Sequence, residues 1–346
     1  MTSKQYVKSI LCFLLLLAVT ILGLGFFLDP YNVFHAENFR DNGVDLNRHY
    51  LKMSYLMKYP DRYNSLLFGS SCVSAIHVEK IDDVKCYNMT YPNSVPSEYL
   101  QNIKTLLDNH MHIKRVYIGL ETGSYTHSAG ANSRQPMTCQ YEYLRDNPYK
   151  MITLFFNPSM ILRSLPVMVS YVRKRSSGTL NRASLKEDFY GSGAIIAYGM
   201  RDDGTNPLAR SIYADSKFSE HVHVLKDIQD IVDLCKKENI ELVVFTNPLH
   251  KINYIASVKG GYLEFLKGLA EITEFYNFCG LNDLTMSSKS FFDIVHYKAE
   301  TGDVIISSMY NGKTDEKLYK QGFGWKVNKQ NIEEFLTLPE ISCANI

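Results

Sequence analysis

The chain has almost no net charge. Its 346 residues carry 37 Lys+Arg against 36 Asp+Glu, a balance of +1, so no bulk field draws it to nucleic acid or another polyanion. The most basic run, Val172-Arg173-Lys174-Arg175, is short and reads as a solvated face. Internal repeats and low-complexity tracts are missing, which excludes solenoids, arrays and disordered linkers. There is one Trp, and the seven cysteines follow no zinc-type spacing. The paired histidines in "HMH" (110–112) and "HVH" (221–223) lack an obvious third ligand, so neither motif argues for a metal. With 45% hydrophobic residues the chain has enough apolar surface to build a full core.

What stands out is one long apolar run. Ser9 to Leu28, "SILCFLLLLAVTILGLGFFL", is uncharged and matches the about 20 residues a helix needs to cross a bilayer. A signal peptide would have a shorter apolar core and a small-residue cleavage pattern before Asp29-Pro30, so the run is expected to stay as an anchor. Lys4 and Lys8 precede it with no acid nearby, which predicts a cytoplasmic N-terminus (1–8), an anchor (9–28) and the rest outside. Cys72, Cys86, Cys139, Cys235, Cys279 and Cys343 would then face an oxidising space, where one or two disulfides or none are all compatible with the spacing.

Residues 29–61 read as a juxtamembrane connector with a short helix. From 62 onward, short apolar strands alternate with amphipathic helical segments, the pattern of an α/β domain with a mostly parallel sheet. Expected strands are Ser65 to Phe68, Cys86 to Met89, Val116 to Leu120 and Leu242 to Thr246. Expected helices are Ser97 to Asn109 and His221 to Glu238, with helices on both faces of the sheet. The interval 126–219 breaks the alternation and reads as an insertion with its own helix near Pro158 to Val172. It either shapes a cleft or elaborates the sheet edge.

In open parallel sheets, ligands bind at the carboxyl ends of the strands. The first strand leaves through "GSSC" at 69–72, where glycine permits a tight turn, the serines offer hydroxyls, and a following helix would aim its N–H groups at an anion. A serine needs a base, and the base needs an orienting group. "FFDIVHY" at 291–297 offers both, because Asp293 and His296 are three apart and can project from one loop. The competing reading makes the serines a helix cap, with His296 bonded to Asp293 for structure alone. Cys72 is a weaker nucleophile candidate, expected to face the core. Asn247 and His250, in "TNPLH" after a strand, and Ser70 are further candidates for touching substrate. "NMT" at 88–90 fits a glycosylation sequon but falls on a strand end.

These motifs, taken in order, resemble the SGNH (GDSL-type) hydrolases, in particular the membrane-anchored branch that includes proteins similar to the D-alanyl transfer protein of teichoic acid synthesis and the alginate O-acetylation proteins. The resemblance rests on "LDPYNVFH" (28–35), "LLFGSSCVSAI" (66–76), "YNMTYPNSVPSEYL" (87–100), "RVYIGLETGSY" (115–125), "VVFTNPLH" (243–250) and "FFDIVHY" (291–297). It implies a three-layer α/β/α, flavodoxin-like domain over 62–346. It assigns Ser71 as nucleophile, His296 as base and Asp293 as orienting acid. Ser70 stands where the family has aspartate, and Asn93 where a glycine N–H joins that of Ser71 in the oxyanion hole. "GLET" at 119–122 lacks the family's side-chain oxyanion donor. The implied activity is acyl transfer or ester hydrolysis on a bacterial cell-surface glycan or teichoic-acid-like polymer, with a membrane-bound O-acyltransferase as partner and no metal or organic cofactor. The alternative is a catalytically silent scaffold that binds polymer or that partner.

Overall fold

The computed structural model describes residues 3–34, 42–44, 46–81, 83–127, 141–155, 157–177, 211–310, 312 and 314–344. Cys139, "SAGANSRQP" and most of "RKRSSGTLNRAS" lie outside them. Among the described residues, the helices of six residues or more are α1 (Ser3–Leu28), α2 (Arg48–Lys58), α3 (Pro96–Asp108), α4 (Tyr141–Asp146), α5 (Pro148–Phe155), α6 (Pro158–Ser176), α7 (His223–Lys237), α8 (Lys251–Lys259), α9 (Tyr262–Ile272) and α10 (Ala299–Tyr310).

The chain divides into two compact units, Met1–Tyr55 with Gly130–Lys186, and Leu56–Ala129 with Glu187–Ile346. Much of the interval expected as an insertion in the sheet domain therefore clusters with the anchor and connector. In the first unit α1 is long and apolar enough to cross a membrane. Beyond it Tyr31, Val33, Leu144 and Phe155 form a small aromatic-rich core.

The second unit is an α/β domain built on a six-stranded sheet, in the order β2-β1-β3-β4-β5-β6. The strands are β1 (Ser65–Phe68), β2 (Cys86–Asn88), β3 (Arg115–Leu120), β4 (Glu241–Thr246), β5 (Phe275–Asn277) and β6 (Trp325–Val327). All pairings are parallel except β5 with β6. β1 and β3 are buried along their whole length, as expected for strands covered on both sides. Their alternation sends residues two ways. Phe68 stacks on Tyr99 of α3 at 5.5 Å between ring centroids, whereas Leu67, Tyr117 and Phe245 share a core with Ile305 and Ile306 of α10.

The chain runs from β1 to β2 on one side and then to β3 on the other, so the strand order reverses at β1. The crevice at the carboxyl ends of β1 and β3 is the switch point where open sheets of this kind accept ligands.

Candidate active site

The turn after β1 is shaped by a shortage of space. A Cβ at Gly69 would lie 2.5 Å from a Val73 methyl, and one at Gly119, on the neighbouring strand, 2.6 Å from the same methyl and 2.9 Å from the Phe245 ring. Two glycines thus let Val73 sink between the strands and draw the chain into a tight turn. That turn is a single 3-10 turn, Ser71–Val73, rather than the longer helix the sequence suggests. Ser70 caps it in an extended conformation, its Oγ accepting the Cys72 N–H at 3.1 Å. Ser70 is buried and Ser71 half-exposed, so the cap and the candidate nucleophile are adjacent but distinct residues.

The opposing loop is held by buried apolar residues three apart, Phe291, Ile294 and Tyr297. Phe291 and Tyr297, both buried, bridge each other across it. The Phe292 N–H donates to the His296 carbonyl at 2.8 Å, and Ile294 is fully buried. Asp293 and His296 are left partly exposed at the crevice. Asp293 Oδ1 accepts the backbone N–H groups of Val295 (2.7 Å) and His296 (2.8 Å), while Oδ2 lies 2.9 Å from His296 Nδ1. His296 Nε2 is 3.0 Å from Ser71 Oγ. Burial works against the Asp293 carboxylate, but the His296 ring and the two N–H donors outweigh it and hold its pKa below the ordinary carboxylate range. With the Nδ1 proton directed to Asp293, Nε2 accepts the Ser71 hydroxyl.

Asn93 has a φ of 57°, the left-handed conformation that Asn tolerates best among non-glycine residues. Its loop is tied to the Ser71 turn, since the Ser94 hydroxyl donates to the Gly69 carbonyl at 2.7 Å and the Tyr91 N–H to the same oxygen at 3.4 Å. Neither the Ser71 nor the Asn93 N–H meets an acceptor among the described residues. Two backbone donors on these paired loops thus stay unused.

Asn247 and His250, the other candidates, lie beneath the surface. The Asn247 side chain is fully buried with neither polar atom paired among the described residues. His250 caps α8 through Nδ1, which accepts the Ile252 N–H at 3.4 Å, and its ring meets Phe291 edge-on at 5.4 Å. Burial, with Lys251 nearby, lowers its pKa. The Cys72 thiol is buried, and desolvation together with Glu121 raises its pKa well above the ordinary thiol value, which disfavours the thiolate. No disulfide joins the described cysteines, and no three His, Cys, Asp or Glu side chains among the described residues converge to hold a metal.

Two residues that sequence reasoning passes over, Glu121 and Asn253, support the site. Glu121, directly after β3, is buried and accepts the Ser70 hydroxyl on Oε1, and Tyr213 donates to its Oε2 at 3.4 Å. Asn253 donates to the Ile294 carbonyl at 2.7 Å and accepts the Ser211 hydroxyl at 2.7 Å, so α8 braces the Asp293–His296 loop. The available signal is a lone acid directly after the apolar run Val116 to Leu120, where a buried polar group demands partners. No protein-family model matches this chain, and no curated protein matches it.

Proposed function

We propose that the second unit is a serine-dependent acyltransferase or esterase of SGNH type, with a three-layer α/β/α, flavodoxin-like arrangement. Residues of β1 that pack alternately on α3 and on the α10 side of the sheet support that architecture. The observation that carries the activity is the continuous relay from Asp293 Oδ2 through His296 to Ser71 Oγ, at 2.9 and 3.0 Å.

His296 Nε2 takes the Ser71 proton as Oγ bonds to the acyl carbon. The oxyanion that forms is met by the free N–H groups of Ser71 and Asn93. When the acyl–oxygen bond of the donor breaks, His296 returns the proton to the leaving oxygen. An acceptor hydroxyl, or water, then gives its proton to Nε2 and takes the acyl group from Ser71, and as the bond between Oγ and the acyl carbon breaks His296 returns that proton to Ser71 Oγ. Asp293 orients the ring and stabilises the imidazolium without taking its proton. Ser70 positions the turn. Whether the second step delivers the acyl group to polymer or to water depends on how well the crevice excludes water.

In this reading α1 is an uncleaved single-span anchor with a cytoplasmic N-terminus, and the α/β unit acts outside the membrane of a bacterium. The acceptor is a cell-surface glycan or teichoic-acid-like polymer, and the acyl group arrives through a membrane-bound O-acyltransferase.

Labelling with a fluorophosphonate probe tests the activated serine. Wild type and Ser70→Ala are expected to label, whereas Ser71→Ala and His296→Ala are not. Folded wild type that stays unlabelled, both alone and together with a membrane O-acyltransferase, would turn the reading to a silent scaffold. Label that survives in Ser71→Ala would overturn the assignment outright.

A further inference from the structure

From the first unit we infer that α5 and α6 form a second membrane-contacting element, an amphipathic bent helix pair lying at the bilayer surface beside the exit end of α1. The inference rests on the reading of α1 as a membrane span.

The coverage of α1 is uneven. Every residue from Ser3 to Thr20 is exposed, whereas Ile21 and Leu28 are partly covered and Gly25 is buried. α6 packs against α1. Just past the helix, Phe34 meets Phe26 at 5.7 Å and Phe155, the last residue of α5, at 6.5 Å, and Tyr31 meets Phe155 at 5.8 Å. The α5–α6 junction is therefore fixed to the end of α1 where a spanning helix leaves the hydrocarbon.

The bent pair carries the chemistry of an interfacial element. α6 buries Ile161, Ser164 and Tyr171. It exposes a stripe at four- and three-residue spacing, Leu162, Pro166, Val169 and Val172, in which Leu162 is 65% and Val172 60% exposed. Its last turn carries Arg173, Lys174 and Arg175. Together α5 and α6 are apolar enough to span, but they are bent by 46°, and Lys150 and Arg163 interrupt the run. A bent, charge-interrupted pair with an apolar stripe and a basic end suits the headgroup boundary better than the bilayer centre. Continuity with α1 names the occupant of the stripe as lipid, and the basic turn favours anionic headgroups.

The test uses the full chain reconstituted in phosphatidylcholine vesicles containing phosphatidylglycerol and a lipid with a diazirine on its acyl chain. After photolysis, peptide mapping is expected to find label in Ser9 to Leu28 and in α6, but not in α7. Leu162→Asp combined with Val169→Asp should lower labelling of the α6 segment about tenfold relative to α1. Label on α1 without label on α6, or equal label on α6 and α7, overturns this inference and leaves the anchor reading standing. Absence of label from α1 overturns the anchor reading, and this inference with it.

Discussion

β3 begins at Arg115 and ends against Glu121, two buried ionisable side chains that are treated in opposite ways. At the amino end, Arg115 forks onto Asp83 at 2.7 and 2.8 Å and donates to the Tyr117 hydroxyl at 3.0 Å. Its Nε also lies 2.6 Å from Glu241, a close ion contact poorly aimed for a hydrogen bond. At the carboxyl end no cation pairs with Glu121 among the described residues, and it accepts instead from the hydroxyls of Ser70 and Tyr213. The same edge of the sheet holds the free N–H groups of Ser71 and Asn93 and the unpaired Asn247 amide. Among the described residues, one end of β3 meets its ionisable side chain with acids, and the other, beside a Glu121 met only by hydroxyls, leaves backbone and amide groups without partners. That is the division expected between a stabilising edge and a working one.

The comparison is broken most severely at the relay. Ser71→Ala and His296→Ala are expected to lower the fluorophosphonate labelling rate by about a thousandfold or more, with the thermal midpoint almost unchanged; a parallel loss of stability would mean the serine is a structural cap. Next comes Glu121→Ala, which strips Ser70 of its acceptor and lets the turn shift, costing about ten- to a hundredfold in labelling rate. Glu121→Gln should restore part of the rate, and if both variants label like wild type then Glu121 does not position the turn.

Arg115→Met should do the reverse. Its acidic partners are more than half exposed, so screening reduces the loss to about 2 kcal/mol, read as a lower denaturant midpoint with the labelling rate of the folded protein retained. A labelling rate that fell along with the midpoint would erase the distinction between the two ends.

The smallest effect concerns pH. Because the folded Asp293 carboxyl is held below the ordinary range, its ionised form stabilises the fold above that range, and the contribution disappears as pH falls through the depressed value. The stability gap between wild type and Asp293→Asn, followed by denaturant melts, should therefore close on acidification. A gap independent of pH would contradict the assignment.

Much of the working edge can be read in the sequence because it lies in short local patterns. β1 is expected at Ser65 to Phe68 and is found there, since a short apolar stretch ending at glycine leaves little choice of boundary. Asp293 and His296 are paired by a spacing that one loop can satisfy, and the loop brings them to Ser71. β5 and β6 escape such a reading because each is fixed by its neighbours rather than by its own pattern. Glu121 and Asn253 escape it for a related reason. Their partners are 51 and 41 residues away, and a hydrogen bond across such a distance leaves no periodic trace. The division of the chain follows contacts rather than composition, so the boundary of the expected insertion cannot be placed from sequence alone.

The packing of Val73 between Gly69 and Gly119 has a consequence for how this protein tolerates variation. Neither glycine bears chemistry, yet each adjoins a methyl that leaves no room for a Cβ. In a mutational scan both positions would score as harshly as the relay itself, and a larger residue at either would survive only with a smaller one at 73. Covariation among 69, 73 and 119 would then trace the shape of the turn, while intolerance at 71, 293 and 296 would trace the proposed reaction.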